Sequence, residues 1–299
     1  MRRSPALISV LALVSLAAVA CSGGSSPTAN SRSHVRTTHL SAYQLVSASA
    51  GKTEAAKTAR IGLRATISGI PKLANFEMTG SGRMDLVNRR AFVAVRVPLP
   101  QGTFSMREIV DGLSFYMQLP EKMMNQLPGN ASWIKVNAAA IAKSTGVGMP
   151  GLGSSWQMDP TQTFDYMKGV SGNVQDLGTG TVRGVSVHHY RAVVDLQKAM
   201  AKMPAASRCG LEAATKQFGQ VRYPVDAWID AQGRLRRMTI AMHLPARAGI
   251  PLGMGMRITM DMYDFGAPVS IHVPPPSEVY DVTQQVASSV SGACGNTTT

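Results

Sequence analysis

Cys21 is the residue whose position most clearly indicates a chemical role. It follows a basic start, Met1-Arg2-Arg3, and an uncharged apolar run from Ala6 to Ala20, which has the length of an export signal rather than of a membrane-spanning helix. Small side chains, Ala18-Val19-Ala20, directly precede the cysteine, which is the pattern of a bacterial lipobox. In a lipobox the cysteine thiol receives a diacylglycerol group, so we expect lipidation of Cys21. The alternative is ordinary secretory cleavage beside a chance cysteine.

The segment after Cys21 is predicted to be a flexible tether. Residues 22–37 are rich in Gly, Ser, Pro and Asn and show no apolar periodicity. The expected organisation is a lipoprotein signal peptide over residues 1–20, the lipidated cysteine and tether over 21–37, and one domain over 38–299. Such a chain would be exported and anchored to the outer face of the bacterial cell membrane.

The chain is strongly basic, with 30 Lys and Arg against 17 Asp and Glu among its 299 residues. A basic excess indicates an anionic partner, either nucleic acid or a membrane surface. We expect no nucleic-acid partner, because export separates the protein from chromosomal DNA and the sequence has no zinc-finger spacing, RNP-like motif or basic heptad helix. Two interpretations of the charge stay open: attraction to anionic lipid headgroups, and a generally basic soluble surface.

The other two cysteines, Cys209 and Cys294, also fit an oxidising compartment outside the cytoplasm. Two cysteines in such a compartment are expected to pair. The disulfide would close a long loop, which contributes on the order of 4 kcal/mol in the chain-entropy model. It would join the C-terminal tail to the segment around residue 209. The alternative is two unpaired thiols.

No motif of the sequence indicates catalysis or a cofactor. The chain has no G-x-S-x-G elbow, P-loop, H-E-x-x-H or C-x-x-C pattern. His188 and His189 are adjacent in a predicted strand, so their side chains are expected on opposite faces and do not easily hold one metal ion together. We therefore expect a non-catalytic protein without a metal or cofactor, and a hydrolase is the weakest of the hypotheses considered.

Alternation of apolar and polar residues predicts about eleven strands. The clearest runs from Phe76 to Val87, where Gly80 and Gly82 on the apolar side favour bending or leave room above the sheet. Asp111-Gly112 predicts a hairpin with a type I′ turn, and two longer strands flank Arg183-Gly184. Helices are predicted over residues 40–58, 159–168 and 209–218, among others. These elements favour an α+β fold in which one large, curved antiparallel sheet packs against helices.

Methionine is frequent, with 18 residues, and several methionines share one face of a predicted strand. An unbranched, adaptable side chain suits a cavity that accepts varied apolar shapes. An ordinary core of inward-facing methionines is the alternative, and the pattern alone favours it. The candidates for lining an apolar cavity are Met78, Met84, Val93, Val95, Met106, Phe115, Met117, Met238, Ile240, Met242, Met256, Ile258 and Met260.

The order of several short segments resembles a known family. After the lipobox come Trp133-Ile134-Lys135-Val136, Asp159-Pro160, Val182-Arg183-Gly184 leading to His189-Tyr190, Val225–Asp230 with Gly233-Arg234-Leu235, and Tyr263–Val269 with Pro274. This order is similar to that of the actinobacterial LppX/LprA/LprF/LprG lipoproteins, relatives of the LolA-like carriers, over about residues 38–283.

The resemblance implies a half-barrel sheet with helices that enclose an apolar cavity. It also implies binding of acylated lipids or glycolipids, which are carried in the cell envelope without a covalent step. With this resemblance, the methionine-faced strands become the preferred cavity candidates. The alternative function is that of an envelope adaptor or sensor with the same fold, a filled core and no transported lipid.

Overall fold

The structure is a computed structural model, and it describes residues 41–70, 73–99, 102–118, 120, 124, 127–145, 174–201, 208, 212, 215, 222–244 and 253–295. Residues 1–40, with Cys21 and the tether, lie outside this part of the chain. So do the helix predicted over residues 159–168 and most of the one predicted over 209–218.

Twelve strands of the described residues form one sheet. In chain order they are β1 Thr58–Ile70, β2 Leu73–Asp85, β3 Arg90–Leu99, β4 Gly102–Asp111, β5 Ser114–Gln118, β6 Trp133–Asn137, β7 Gln175–Val182, β8 Val185–Asp195, β9 Arg222–Asp230, β10 Leu235–Leu244, β11 Met254–Tyr263 and β12 Val279–Asp281. Their spatial order is β12-β6-β5-β4-β3-β2-β1-β11-β10-β9-β8-β7. Only β12 and β6 pair in parallel. The predicted α+β fold, with one large, curved and mostly antiparallel sheet packed against helices, is confirmed.

The sheet has an apolar inner face and a polar outer face. On β1 the odd positions Ala59, Ile61, Leu63 and Ala65 are buried and point to the inner face, whereas Arg60 and Arg64 point to the outer face. Strand register carries this division across the sheet, because directly paired residues share a face. The period-2 pattern of the sequence therefore identifies the buried side of β1 and β2.

Four helices are described: α1 Ala42–Glu54, α2 Ala138–Thr145, α3 Leu196–Ala201 and α4 Thr283–Gly295. A capping box begins α1, since Ser41 Oγ accepts from the Gln44 amide and the Gln44 side chain accepts from the Ser41 amide. Val46 and Ala50 of α1 are buried in the inner-face core, and α1 packs on β9 and β10. Helices α2 and α4 pack on each other beside β5 and β6. The helix predicted over residues 40–58 ends earlier, at Glu54, because Lys57 has a positive φ of 68° and β1 begins at Thr58.

Two hairpin loops of the sheet have different turn types, and the first differs from its prediction. Asp111 pairs with Ser114, so the loop between β4 and β5 is Gly112–Leu113, and Gly112 has a φ of 60°. A positive φ at the first loop residue alone is the type II′ pattern, and the predicted type I′ turn at Asp111-Gly112 is wrong. Between β7 and β8, Arg183 and Gly184 both have positive φ, 48° and 78°, which is the type I′ pattern.

An extended strap, residues 266–275, crosses the outer face between β11 and β12. Thr58 Oγ1 donates a hydrogen bond to the Ala267 carbonyl at 2.7 Å, and Arg83 Nε donates to the Ser270 carbonyl at 2.6 Å. Ile271 packs on a small outer-face core formed by Ile109, Tyr116 and Trp133. The strap thereby brings the chain from the middle of the sheet to its β12 edge.

Candidate functional site

Strand register places the inner-face apolar residues in rows across the sheet. Met242, Met256, Ile67 and Phe76 form one such row over β10, β11, β1 and β2. All four side chains are half-buried. This row is therefore partly accessible apolar surface on the described sheet.

The predicted cavity residues divide into two groups by burial. The buried group is Met78, Met84, Val93, Val95, Met238, Ile240 and Met260, which form one core cluster together with residues of α1. The half-buried group is Met106, Phe115, Met117, Met242, Met256 and Ile258. The first group packs as ordinary core in this structure, and the second forms apolar surface that is partly accessible.

The space above Gly80 and Gly82 is occupied by their neighbours on the inner face. A Cβ atom at Gly80 would lie 3.3 Å from Val95 Cγ2. At Gly82 it would lie 3.0 Å from Ile61 Cγ1 and would overlap the Phe92 carbonyl oxygen. These glycines therefore permit close packing of adjacent strands, and the expectation that they leave room above the sheet is wrong.

Glu108 interrupts the apolar inner face. It lies on β4 between Met106 and Val110 on the same face, and register places Val93 of β3 and Met117 of β5 beside it. Burial raises the pKa of Glu108 to about 7. The side chain is half-buried and its carboxyl oxygens keep contact with solvent, but no hydrogen bond or ion pair joins them to any residue that the structure describes. Sequence reasoning did not single out this residue, although Met106, Glu108 and Val110 alternate in a way that assigns all three to one face.

The outer face carries paired charges around Trp228. Asp226 Oδ1 accepts a hydrogen bond from Arg191 Nε at 2.8 Å and lies 2.8 Å from His189 Nε2. The hydrogen bond to Asp226 raises the pKa of Arg191. The His189 ring stacks on Trp228 with centroids 4.1 Å apart. His189 thus has structural contacts on the outer face, and its neighbour His188 lies on the inner face, as the strand pattern predicts.

A groove of about 440 Å³ also lies on the outer face, where the strap covers β1 and β2. Arg60 and Arg83 lie directly opposite each other in its floor, and Tyr263 and Phe92 flank them in the same row. None of the predicted cavity residues lines this groove.

Several predicted sites remain predictions. Cys21 and Cys209 lie outside the described residues, and Cys294 lies in the last turn of α4 with its side chain not described. Within the part of the chain that the structure covers, no three His, Cys, Asp or Glu side chains are placed to hold a metal ion. In that same part, no helix has the length and apolar character needed to cross a membrane.

Solved structures similar to this chain include two mycobacterial proteins, the first of them a lipoprotein. LppX from Mycobacterium tuberculosis is 13% identical with a TM-score of 0.40, and the match covers 76% of this chain and 98% of LppX. LprF from Mycobacterium bovis is 15% identical with a TM-score of 0.40, over 78% of this chain and 96% of LprF. LppX and LprF are both names from the family that the order of segments in the sequence resembles.

A third similar structure is a putative outer membrane lipoprotein-sorting protein domain from Vibrio parahaemolyticus. It is 9% identical with a TM-score of 0.29, and the match covers 76% of this chain and 93% of that domain. No family model matches the chain, and no curated protein matches it.

Proposed function

We propose that this protein is an exported lipoprotein, anchored through Cys21, that binds an acylated lipid or glycolipid on the inner face of its sheet. It carries this ligand in the cell envelope and does no chemistry on it. The lipobox and the order of segments in the sequence support the anchor and the ligand class. The accessible apolar rows of the inner face support the binding site.

The observation that carries the proposal is the half-buried apolar row of Met242, Met256, Ile67 and Phe76, together with Met117 and its half-buried neighbours on β4 and β5. A folded soluble domain gains stability by closing such surface away from water. A bound acyl chain would do so, at roughly 0.8 kcal/mol for each CH₂ group that it buries. Flexible methionine side chains can fit chains of varied shape.

The experiment uses the exported chain with Cys21→Ala, which cannot accept a diacylglycerol. The purified protein is extracted with organic solvent, and the extract is analysed by mass spectrometry. We expect a co-purifying acylated lipid, and a higher melting temperature when lipid is added to extracted protein. A clean extract together with no thermal shift would contradict the proposal.

A pair of variants locates the site. Met242→Trp fills part of the half-buried row, so we expect less bound lipid with an unchanged circular dichroism spectrum. Val193→Trp places the same bulk at an exposed position of β8, on the outer face, and should load lipid as the parent does. Equal loading of the two variants would place the ligand elsewhere.

A second candidate function is an envelope adaptor or sensor that transports no lipid. The dense packing at Gly80 and Gly82, and the full burial of Met238 and Met260, favour this alternative because they show a filled core in the middle of the sheet. In that case the extract of the parent chain is free of lipid. Met242→Trp then lowers the melting temperature, because the added bulk disturbs folding.

A further inference from the structure

Glu108 is a half-buried carboxyl that has no partner among the described residues and lies in an apolar part of the inner face. Its inner-face neighbours Val93, Met106, Val110 and Met117 offer no polar atom in their side chains except the weakly accepting methionine sulfur. An apolar ligand that covered this face would remove the remaining water from the carboxyl, which would recover that hydration energy only through a hydrogen bond or an opposite charge.

Buried acids elsewhere in the described sheet do have such partners. Asp226 binds Arg191, Asp230 binds Arg236 at 2.7 Å, and Asp195 lies 3.1 Å from Arg222. Glu108 has no comparable cation or donor among the described residues. A leucine at this position would complete the apolar row, and no contact among the described residues requires a glutamate there.

We infer that Glu108 is the polar recognition point of the inner face, and that its carboxyl accepts a hydrogen bond from a hydroxyl or other donor group on an otherwise apolar ligand. This inference rests on the proposed function, because it assumes that a lipid occupies the inner face. It narrows the ligand class to lipids that carry a hydrogen-bond donor next to their acyl chains. Fully esterified or purely hydrocarbon ligands would leave the carboxyl unsatisfied.

The chemistry works in both protonation states of the carboxyl. An ionised carboxylate accepts through both oxygens, and a protonated carboxyl accepts through its carbonyl oxygen and also donates its own proton. A donor that reaches Glu108 lies beside Met117, which is half-buried, so the acyl chains can continue over apolar surface that is still accessible. The donor group and the acyl chains of one ligand would therefore contact adjacent parts of the same face.

The test compares two probes of equal acyl length. Dipalmitoylglycerol has one free hydroxyl, and its methyl ether lacks that donor but has nearly the same size. Binding of each probe to the Cys21→Ala chain is measured by titration after organic extraction. We expect the alcohol to bind roughly ten times more tightly than the ether, as for a buried hydrogen bond whose loss leaves one partner unsatisfied.

Three variants assign this preference to Glu108. Glu108→Leu should bind the alcohol and the ether equally, whereas Glu108→Gln should keep the preference because its amide oxygen still accepts. Val193→Leu changes an exposed outer-face side chain without changing its polarity, and it should keep the preference too. The melting temperature of each variant shows whether it is folded.

The outcomes separate the two proposals. If both probes bind equally to the parent chain, or if Glu108→Leu keeps the preference, the inference is wrong while lipid binding stands. If neither probe binds and the extract holds no lipid, the proposed function fails, and the inference fails with it.

Discussion

Thr53 Oγ1 accepts a hydrogen bond from the backbone amide of Leu235 at 2.9 Å, which joins the last turn of α1 to the first residue of β10. Both residues are fully buried. The pairing of β10 with β9 shifts register between Leu235 and Arg237, and the Leu235 amide is bonded to the helix side chain at this irregularity. This contact holds α1 on the end of the sheet where Met238 and Met260 are buried.

We expect Thr53→Val to destabilise the protein by about 1–3 kcal/mol, because valine keeps the side-chain shape but leaves the buried amide of Leu235 without its acceptor. The free energy of unfolding in urea measures this change. Thr53→Ser keeps the hydroxyl and should lose much less. Equal losses in the two variants would show that the methyl group, and not the hydrogen bond, stabilises this junction.

Gly82→Ala tests the close approach of β2 to its neighbouring strands. The added methyl group would overlap the Phe92 carbonyl and crowd Ile61, so we expect a loss of about 1–3 kcal/mol through overpacking. Gly180→Ala is the matched control, since Gly180 lies in β7 and a methyl group added there would have no atom within 4 Å. Thermal denaturation of both variants should lower the melting temperature of Gly82→Ala alone. If Gly82→Ala is as stable as the parent, the inner face has room at this point after all.

Asp226→Asn tests the paired charges on the outer face. The carboxylate is 5% exposed and binds both Arg191 and His189, so we expect a loss of about 1–3 kcal/mol. Glu77→Gln removes a carboxylate that pairs with Arg64 at 2.8 Å, but there the side chains are 44% and 62% exposed. An exposed pair contributes about 0–1 kcal/mol, so this control should change little. If Glu77→Gln lost as much stability as Asp226→Asn, the loss would not depend on the burial of the carboxylate.

The sequence was informative wherever one residue interacts with its near neighbours along the chain. Alternation in Phe76–Val87 identified β2 and its buried side, and Arg183-Gly184 marked the turn between β7 and β8, because glycine readily adopts a positive φ. By contrast, β12 has three residues and pairs in parallel with β6, from which it is separated by more than a hundred residues. No local pattern predicts such a pairing.

Burial of the individual methionines was not predictable in the same way. Met238 and Met242 lie on one face of β10 and look alike in sequence, but Met238 belongs to the core cluster with α1, whereas Met242 is half-buried. The difference depends on where α1 docks, which is set by contacts such as Thr53 with Leu235 across the fold. The position of Glu108 on the inner face was predictable, because the residue follows the alternation of β4. The sequence analysis did not recognise it as a candidate site residue.

Glu108 also predicts how stability changes with pH. Its pKa is raised from 4.5 to about 7 by burial, and the described inner-face positions of β3, β4 and β5 carry no other ionisable side chain. Below about pH 4.5 the carboxyl is protonated in the folded and unfolded states and has no effect. As the pH rises toward 7 the unfolded chain ionises first, so the folded state loses stability, and the loss is complete above the folded pKa.

We therefore expect Glu108→Gln to gain stability over the parent as the pH rises, by on the order of 1–3 kcal/mol at about pH 8 and by almost nothing at about pH 4. Urea denaturation of both proteins, after organic extraction, measures the difference at each pH. Glu77→Gln removes an exposed carboxylate of the outer face, and it should show no such gain. A difference between Glu108→Gln and the parent that is constant across this pH range would mean that the carboxyl is solvated in the folded protein.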